Sequence, residues 1–377
     1  MDPSCWVLQV DLVNAYNAVD RGEVLQKVAE LFPECLAWAE TCYGAKSFLK
    51  FGEFVLESAT GVHQGDPLAG LLFCLVLMSV VDAIEEEVPT LTLNAWYLDD
   101  GHIIGTKVEL AQVVDIIVRE GEPRGLTLSR AATVLPPSSP KSVVWSSMDG
   151  LGEVDQDPLQ RVIPKVRAGE GIVVLGAPVG YHSFVKSKLK SKVEKVRDVV
   201  DHLPLLQDPH TELVLLRSCL SLPKIMFLLR AVNTLDHHEE LLEFDGIIRD
   251  ALSHLIGTPL TDLQWAQASL PVAMGSVGLR SAVDHAAVAH AVSLLTAQPL
   301  LDDLLGKDSE ETQLPQPLLD RITAKTGETA SVESLSGRSQ REVSLKVDLL
   351  NQALLLHHYN EEGGSRRTPR SPLKSME

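Results

Sequence analysis

Positive charge is scarce in this chain. Lys and Arg number 33 against 51 Asp and Glu over 377 residues, a net charge of -18, which argues against nucleic-acid binding as a property of the whole surface, since phosphate contacts come mainly from Lys and Arg. Cysteine is also sparse: Cys5, Cys35, Cys42, Cys74 and Cys219 are odd in number and include no C-x-x-C pair. Neither a disulfide framework nor a zinc site is indicated, and a reducing intracellular compartment, nucleus or cytoplasm, fits best. No basic segment opens the sequence as in a secretory signal. The longest apolar run, around Leu71 to Leu77, is interrupted by Ser79 and Asp82 before it could span a bilayer, so it reads as a buried helix and no membrane is expected as a partner. With 45% hydrophobic residues, the chain can bury the core of one large or two medium domains.

The charge is unevenly spread. Residues 1 to 100 carry 16 acidic and 4 basic side chains, whereas residues 161 to 230 carry 12 basic and 6 acidic ones. The basic excess centres on Lys186, Lys188, Lys190, Lys192, Lys195 and Arg197, alternating with Leu189, Val193 and Val196. A solvated charged face is the commoner meaning of such a run, and a phosphate-tracking helix the more specific one.

In chain order, Val7 to Asp11 is a short apolar strand ending in Asp, followed by a helical pattern from Val24 to Phe32 that Pro33 closes. Lys46 to Phe51 and Glu53 to Ser58 flank Gly52 as a hairpin. Asp66 and Pro67 have the character of an N-cap and first helical residue for an apolar helix reaching about Ile84. Val108 to Arg119 has helical spacing, and Ser142 to Trp145 and Gly171 to Gly176 are strand signals expected to pair. Beyond Phe184 the pattern is helical: Phe184 to His202, Thr211 to Arg230 with a break near Leu222-Pro223, Thr234 to Ile256, and Val283 to Thr296. After about Lys307 the chain turns polar, with one amphipathic candidate, Val343 to His358, and a Pro/Ser/Arg tail that composition marks as disordered.

Two adjacent carboxylates, Asp99 and Asp100, sit between two β-prone apolar runs, Leu93 to Leu98 and His102 to Gly105. On its own Asp100-Gly101 is a strong hairpin-turn signal, since both residues tolerate positive φ. A further Asp at the end of a strand, Asp11, and the loop His63-Gln-Gly-Asp-Pro-Leu68 make a second meaning available. Two carboxylates from a hairpin and one from another strand can hold a pair of divalent cations for phosphoryl transfer.

Taken together, these segments resemble the polymerase motifs of reverse transcriptases, above all those of LINE-like (non-LTR) retrotransposons. Asp11 to Arg21 resembles motif A, His63 to Leu68 with Leu71 to Phe73 resembles motif B, and Tyr97-Leu-Asp-Asp100 resembles motif C. Asp11 and Asp99 lie 88 positions apart. Gly125 to Leu128 with Lys141 is similar to motif D, and Leu175 to Pro178 to motif E. The resemblance covers roughly residues 5 to 230 and more weakly the stretch to Ala297.

The resemblance implies an α+β palm, an antiparallel sheet with helices on one face, over residues 1-180. A helical thumb and extension would span 181-306, and a polar tail with one helix 307-377. It implies RNA-templated DNA synthesis with an RNA template, a DNA primer and deoxynucleoside triphosphates as partners. Asp11, Asp99 and Asp100 would be ligands of two Mg²⁺ ions, with Mn²⁺ as a substitute. Tyr16 would exclude a 2′-hydroxyl, Gln64 and Gly65 would face the incoming nucleotide and template base, and Lys141 would approach the triphosphate. The basic helix, Lys186 to Arg197, would track the nucleic acid. The fingers segment that precedes motif A in this family is not among these residues, so a separate fingers segment is an expected partner. The rival reading is a catalytically silent retroelement remnant that binds nucleic acid or protein.

Overall fold

The computed structural model describes residues 5–130, 141–146, 166–168, 170–305 and 313–361. The chain divides into two units, Met1–Leu175 and Gly176–Glu377.

The first unit is built on β1 (Trp6–Val10), whose alternation WVLQV sends Trp6, Leu8 and Val10 to one face and Val7 and Gln9 to the other. A separate hairpin, β2 (Ser47–Phe51) and β3 (Phe54–Ser58), turns at Gly52. β4 (Leu93–Tyr97), β5 (Asp100–Gly105), β6 (Val143–Ser146) and β7 (Val166–Ala168) complete a five-stranded sheet in the order β4-β5-β1-β6-β7. β1 is paired antiparallel with β5 on one side and β6 on the other, as a buried central strand requires. All pairings are antiparallel except β6 with β7, which is parallel.

One face of the sheet is covered by the helices Arg21–Leu31, Ala69–Glu87 and Lys107–Ile116, whose Val24, Val28, Leu72, Phe73, Val76, Val80, Leu110 and Val113 share a core with Leu8, Val10 and Ile103. Asp20 caps the first of these helices, accepting from the Glu23 amide at 3.0 Å, and a Thr106/Glu109 capping box starts the third. On the other face, among the described residues, Val7, Val143, Trp145 and Ile172 form a small cluster with Ile104 and Val174 packed against it.

Two expectations change here. Ser142 to Trp145 does not pair with Gly171 to Gly176. Its ladder partners are β1 and the short β7, while Ile172 packs across the sheet against Trp145; a three-residue strand has no alternation to betray it. The helix after Asp66 begins only at Ala69, because Asp66 folds a preceding turn in which its carboxylate accepts from the Leu68 amide at 2.9 Å and its carbonyl from the Ala69 amide at 3.1 Å.

The second unit is helical, with His182–Val200, Pro209–Leu215, Leu222–Ala231, His238–Ile256, Asp262–Ala268 and Ala282–Leu305 around one core that includes Leu189, Val193, Leu229, Phe244 and Leu279. The expected helix from Thr211 to Arg230 is broken into two by a π turn at Leu216–Leu220, with Pro223 restarting the second piece. Beyond residue 307 there are three described helices, Gln316–Thr326, Val332–Leu335 and Gln340–Glu361, rather than one. Leu314, Leu318, Ile322, Leu335, Val343 and Val347 form a second core with Val288 and Ala291. Four-residue spacing at Leu314, Leu318 and Ile322 carried that stripe within a polar composition. The tail beyond residue 361 lies outside the described residues. Among the described residues, no helix is long and apolar enough to cross a membrane.

Candidate active site

The β4–β5 hairpin is closed by Leu98 and Asp99, with Tyr97 opposite Asp100. The turn is thus not Asp100-Gly101. Gly101 lies in the ladder opposite both Val10 and Trp96, and a Cβ on it would stand 2.7–2.9 Å from the Trp96 ring. Glycine is required there by the close approach of an indole, not by turn geometry. Leu98 takes a positive φ of 56° in its place, a conformation that costs a non-glycine residue on the order of 1 kcal/mol or more. Strained backbone of this kind clusters at functional sites, and here it fixes where Asp99 points.

Val10 is opposite Gly101. Asp11, one residue after Val10, and Asp100, one residue before Gly101, therefore project to the same face, the one turned away from the covering helices. Asp11 is held by its backbone: its amide donates to Ser142 Oγ at 3.1 Å and its carbonyl accepts from the Ser129 amide at 2.8 Å. Val13 donates to the Thr127 carbonyl, and Leu12 bridges Leu128. Gly125, at φ 76°, lets this segment approach the Ala18 carbonyl, where a Cβ would stand 2.1 Å away. The same two serines deliver Lys141, whose amide donates to Ser129 Oγ and whose Nζ lies 3.8 Å from the Asp11 carboxylate.

The three carboxylates sense one another. Burial raises the Asp11 carboxyl above its usual range, Lys141 and Ser129 pull it back, and Asp100 and Asp99 push it up. Asp100 is raised first by burial and then by Asp99, against His102 and Lys141. The larger cause is thus desolvation, with repulsion second. Tyr16 also lies within reach: burial raises its hydroxyl, followed by Cys74, Asp99 and Tyr97. Its ring stacks on Phe73 at 4.7 Å, and a Cβ on Gly70 would stand 3.6 Å from its hydroxyl and 3.9 Å from Leu98. Gln64 and Gly65 are exposed at the head of the loop, Gly65 with φ 99° and open space around it.

Among the described residues, no three carboxylate, thiol or imidazole side chains stand close enough to hold an ion in their present rotamers. The chemistry of the donors does fit: two partly buried carboxyls raised above their usual range, a third acting on both, and Lys141 and His102 set against them. Hard oxygen donors with excess negative charge are what Mg²⁺ and Mn²⁺ select.

The basic helix His182–Val200 buries Val185, Leu189, Val193, Val196 and Val200. Its cations fall on two flanks. Lys186 pairs with Glu239 and Glu240 at 3.3 and 3.4 Å, and Arg197 with Glu243 at 2.8 Å; Lys190 is on that side by helical spacing. Lys188, Lys192 and Lys195 lie on the other. Burial lowers Lys192, followed by its like-charged neighbours Lys224 and Lys195. Among the described residues this flank carries no ion pair: Lys188 lies over the Phe184 ring at 5.1 Å, and Lys192 and Lys195 form a positive patch with Lys224.

Sequence reasoning missed Leu98 and the two serines that place Asp11 and Lys141. It also passed over Arg21, which donates to the carbonyls of Gly61, Ser58 and Ala45 at 2.8, 2.9 and 3.4 Å. An arginine at a helix start gives no sign of acceptors 24 to 40 residues away.

A family model described as reverse transcriptase (RNA-dependent DNA polymerase) matches residues 1–135. The matched segment holds Asp11, Tyr16, Gln64, Asp99 and Asp100. The chain is also 24% identical over 284 residues to the retrotransposable element SLACS 132 kDa protein of Trypanosoma brucei gambiense, covering 74% of this chain and 22% of that protein. It thus spans about a fifth of the length of that curated relative. Among solved structures it is similar to apo telomerase from Candida tropicalis, with 12% identity, coverage of 80% of this chain and 52% of that one, and a TM-score of 0.36. Telomerase from Candida albicans in complex with a TWJ fragment of telomeric RNA gives 13% identity, 82% and 52% coverage and a TM-score of 0.30.

Proposed function

We propose that this chain is the catalytic portion of a retrotransposon reverse transcriptase, making DNA on an RNA template by nucleotidyl transfer from deoxynucleoside triphosphates. The observation that carries the reading is the placement of Asp11 and Asp100 on one face of the sheet, with Asp99 beside them in the hairpin turn and acting on both by its charge, within a segment that matches the reverse transcriptase family model. Asp11, Asp99 and Asp100 would hold two divalent ions, Mg²⁺ or Mn²⁺. Such ions, when bound, stabilise charge on the attacking and leaving oxygens of an in-line displacement.

The chain's own residues do the rest by position. Lys141 sits where it can shift from Asp11 to the triphosphate, since an exposed ion pair at 3.8 Å holds it weakly. The Tyr16 ring, braced by Phe73, fills the space beside the carboxylates where a 2′-hydroxyl would lie. Gln64 and Gly65 offer an exposed backbone to base and sugar. Lys188, Lys192 and Lys195, with Lys190 on the opposite flank, supply phosphate contacts to the primer-template, and Lys186 and Arg197 add to them only by exchanging their glutamate partners. The residues 1-180 serve as palm and 181-306 as thumb and extension, with a fingers segment as a further partner. Incorporation of deoxythymidylate on a polyadenylate template with an oligothymidylate primer tests the reading: it should require Mg²⁺ or Mn²⁺ and vanish in Asp11→Asn and Asp99→Asn. Incorporation that survives both substitutions would remove it.

A further inference from the structure

Arg21 is 6% exposed, and among the described residues no carboxylate lies within ion-pairing distance of it. A buried cation is costly unless its donors are satisfied, and all three nitrogens of this guanidinium are used. Nε donates to the Gly61 carbonyl at 2.8 Å. Nη1 donates to the Ser58 and Ala45 carbonyls at 2.9 and 3.4 Å. Nη2 donates to Ser58 Oγ at 2.9 Å and stands 3.4 Å from His63 Nε2. Its carbon lies 5.5 Å from the centre of the Tyr43 ring, which stacks on His63 at 4.9 Å. The Tyr43 hydroxyl donates to the Asp66 carboxylate and accepts from the His63 amide at 3.3 Å. Buried and bonded to a carboxylate, that hydroxyl is pushed up to about 12.

Apart from Ala45, the groups held in this way lie in the chain on either side of the exposed pair Gln64-Gly65. Gly61 and His63 lie before it and Asp66 after it, while the Val62 amide donates to the Tyr16 carbonyl at 2.7 Å. The loop itself carries a positive φ at Gly61 and at Gly65 and no regular ladder, so it has little local reason to keep one shape. We infer that Arg21 is a positioning residue: its planar fork, with Tyr43 stacked on it, rigidifies residues 58 to 66 and so sets where Gln64 and Gly65 present themselves to the incoming nucleotide. The first half of this statement stands on geometry alone, and the second rests on the proposed polymerase reading.

The fork's shape is what matters, because donors pointing in several directions reach the two carbonyls, Ser58 Oγ and Gly61 at once. A lysine ammonium is a single point of charge and cannot span them. Amide exchange by mass spectrometry tests the inference on the full chain. In Arg21→Lys and Arg21→Met, peptides spanning 58 to 68 should exchange at least about tenfold faster, while peptides of β1 and the β4–β5 hairpin keep wild-type rates. Tyr43→Phe, which removes only the hydroxyl, should loosen the same peptides by a smaller factor. Wild-type exchange of the loop in Arg21→Lys would show that charge alone suffices and would overturn the inference. Equal acceleration across the whole unit would also do so, reducing Arg21 to a general core residue. In nucleotide incorporation, Arg21→Lys should raise the KM for deoxynucleotide by roughly ten- to a hundredfold with a smaller change in kcat. If Asp99→Asn leaves incorporation untouched, the polymerase reading fails, and the exchange data still decide the clamp.

Discussion

Removing one carboxylate of the site should make the metal-free protein no less stable and at the same time blind it to metal. Asp99 raises Asp11, Asp100, Tyr16 and Cys74 by its charge. Asp11 and Asp100 sit above the ordinary 3.8, so the stability they contribute is present below that value and lost as pH rises through their folded values. At neutral pH the metal-free unit therefore carries a penalty that a cation relieves. Asp99→Asn should lower that penalty, a gain of up to about 1 kcal/mol in the presence of a chelator, given partial exposure of the groups. A ligand at a hundred times its dissociation constant stabilises by about 2.7 kcal/mol. For a unit of this size each kcal/mol is worth roughly 2–4 °C. Millimolar Mn²⁺ should accordingly raise the melting temperature of the wild type by about 5–10 °C, and that of Asp99→Asn by far less. A scanning-fluorimetry series with and without Mn²⁺ decides this. No shift in the wild type, or the same shift in both proteins, would refute the reasoning.

Other outcomes are expected of the remaining groups. Tyr16→Ala, which empties the space over Phe73 but leaves the carboxylates in place, should raise ribonucleotide relative to deoxyribonucleotide incorporation by at least about tenfold in competition assays; an unchanged ratio would make Tyr16 a core residue only. Charge reversal at Lys192 and Lys195 should weaken primer-template binding and flatten its salt dependence by roughly 0.9 per lost phosphate contact on duplex DNA. Reversal at Lys186 should cost less, because its charge is already answered by Glu239 and Glu240. In the helical unit, Asp245 accepts from Ser281 Oγ and from the Ala282 and Val283 amides, and burial pushes it up to about 6. Its contribution is therefore present at pH 4 and lost as pH rises through 6, on the order of 3 kcal/mol. Asp245→Asn should remove that slope in urea titrations followed by Trp265 fluorescence between pH 4 and 7.

Much of the first unit was legible because its signals are local. Alternation in WVLQV and the Gly52 turn each encode one element within a few residues. The order of Asp11, the Gln64 loop and Asp99–Asp100 is what carries the resemblance to the polymerase motifs. What escaped depends on contacts distant in sequence. Asp100-Gly101 has the composition of a turn, yet Trp96 packs over Gly101 and moves the turn to Leu98-Asp99. β6 finds its neighbour in a three-residue strand with no pattern of its own. The helices after residue 313 are rich in polar residues, and their apolar stripe has meaning only against Val288 and Ala291. The gathering of the basic helix's ion pairs on one flank follows from Glu239, Glu240 and Glu243, some fifty positions away.

The most direct test of the central claim is extension of a DNA primer on an RNA template of defined sequence, with the product read back. The chain should be assayed alone and joined to a fingers segment from a related element, each with its Asp99→Ala counterpart. The account predicts product complementary to the RNA, dependent on Mg²⁺ or Mn²⁺, and reduced on the order of 10²- to 10³-fold or more by Asp99→Ala. Absence of templated product from both forms, or equal product from the Asp99→Ala proteins, would contradict it.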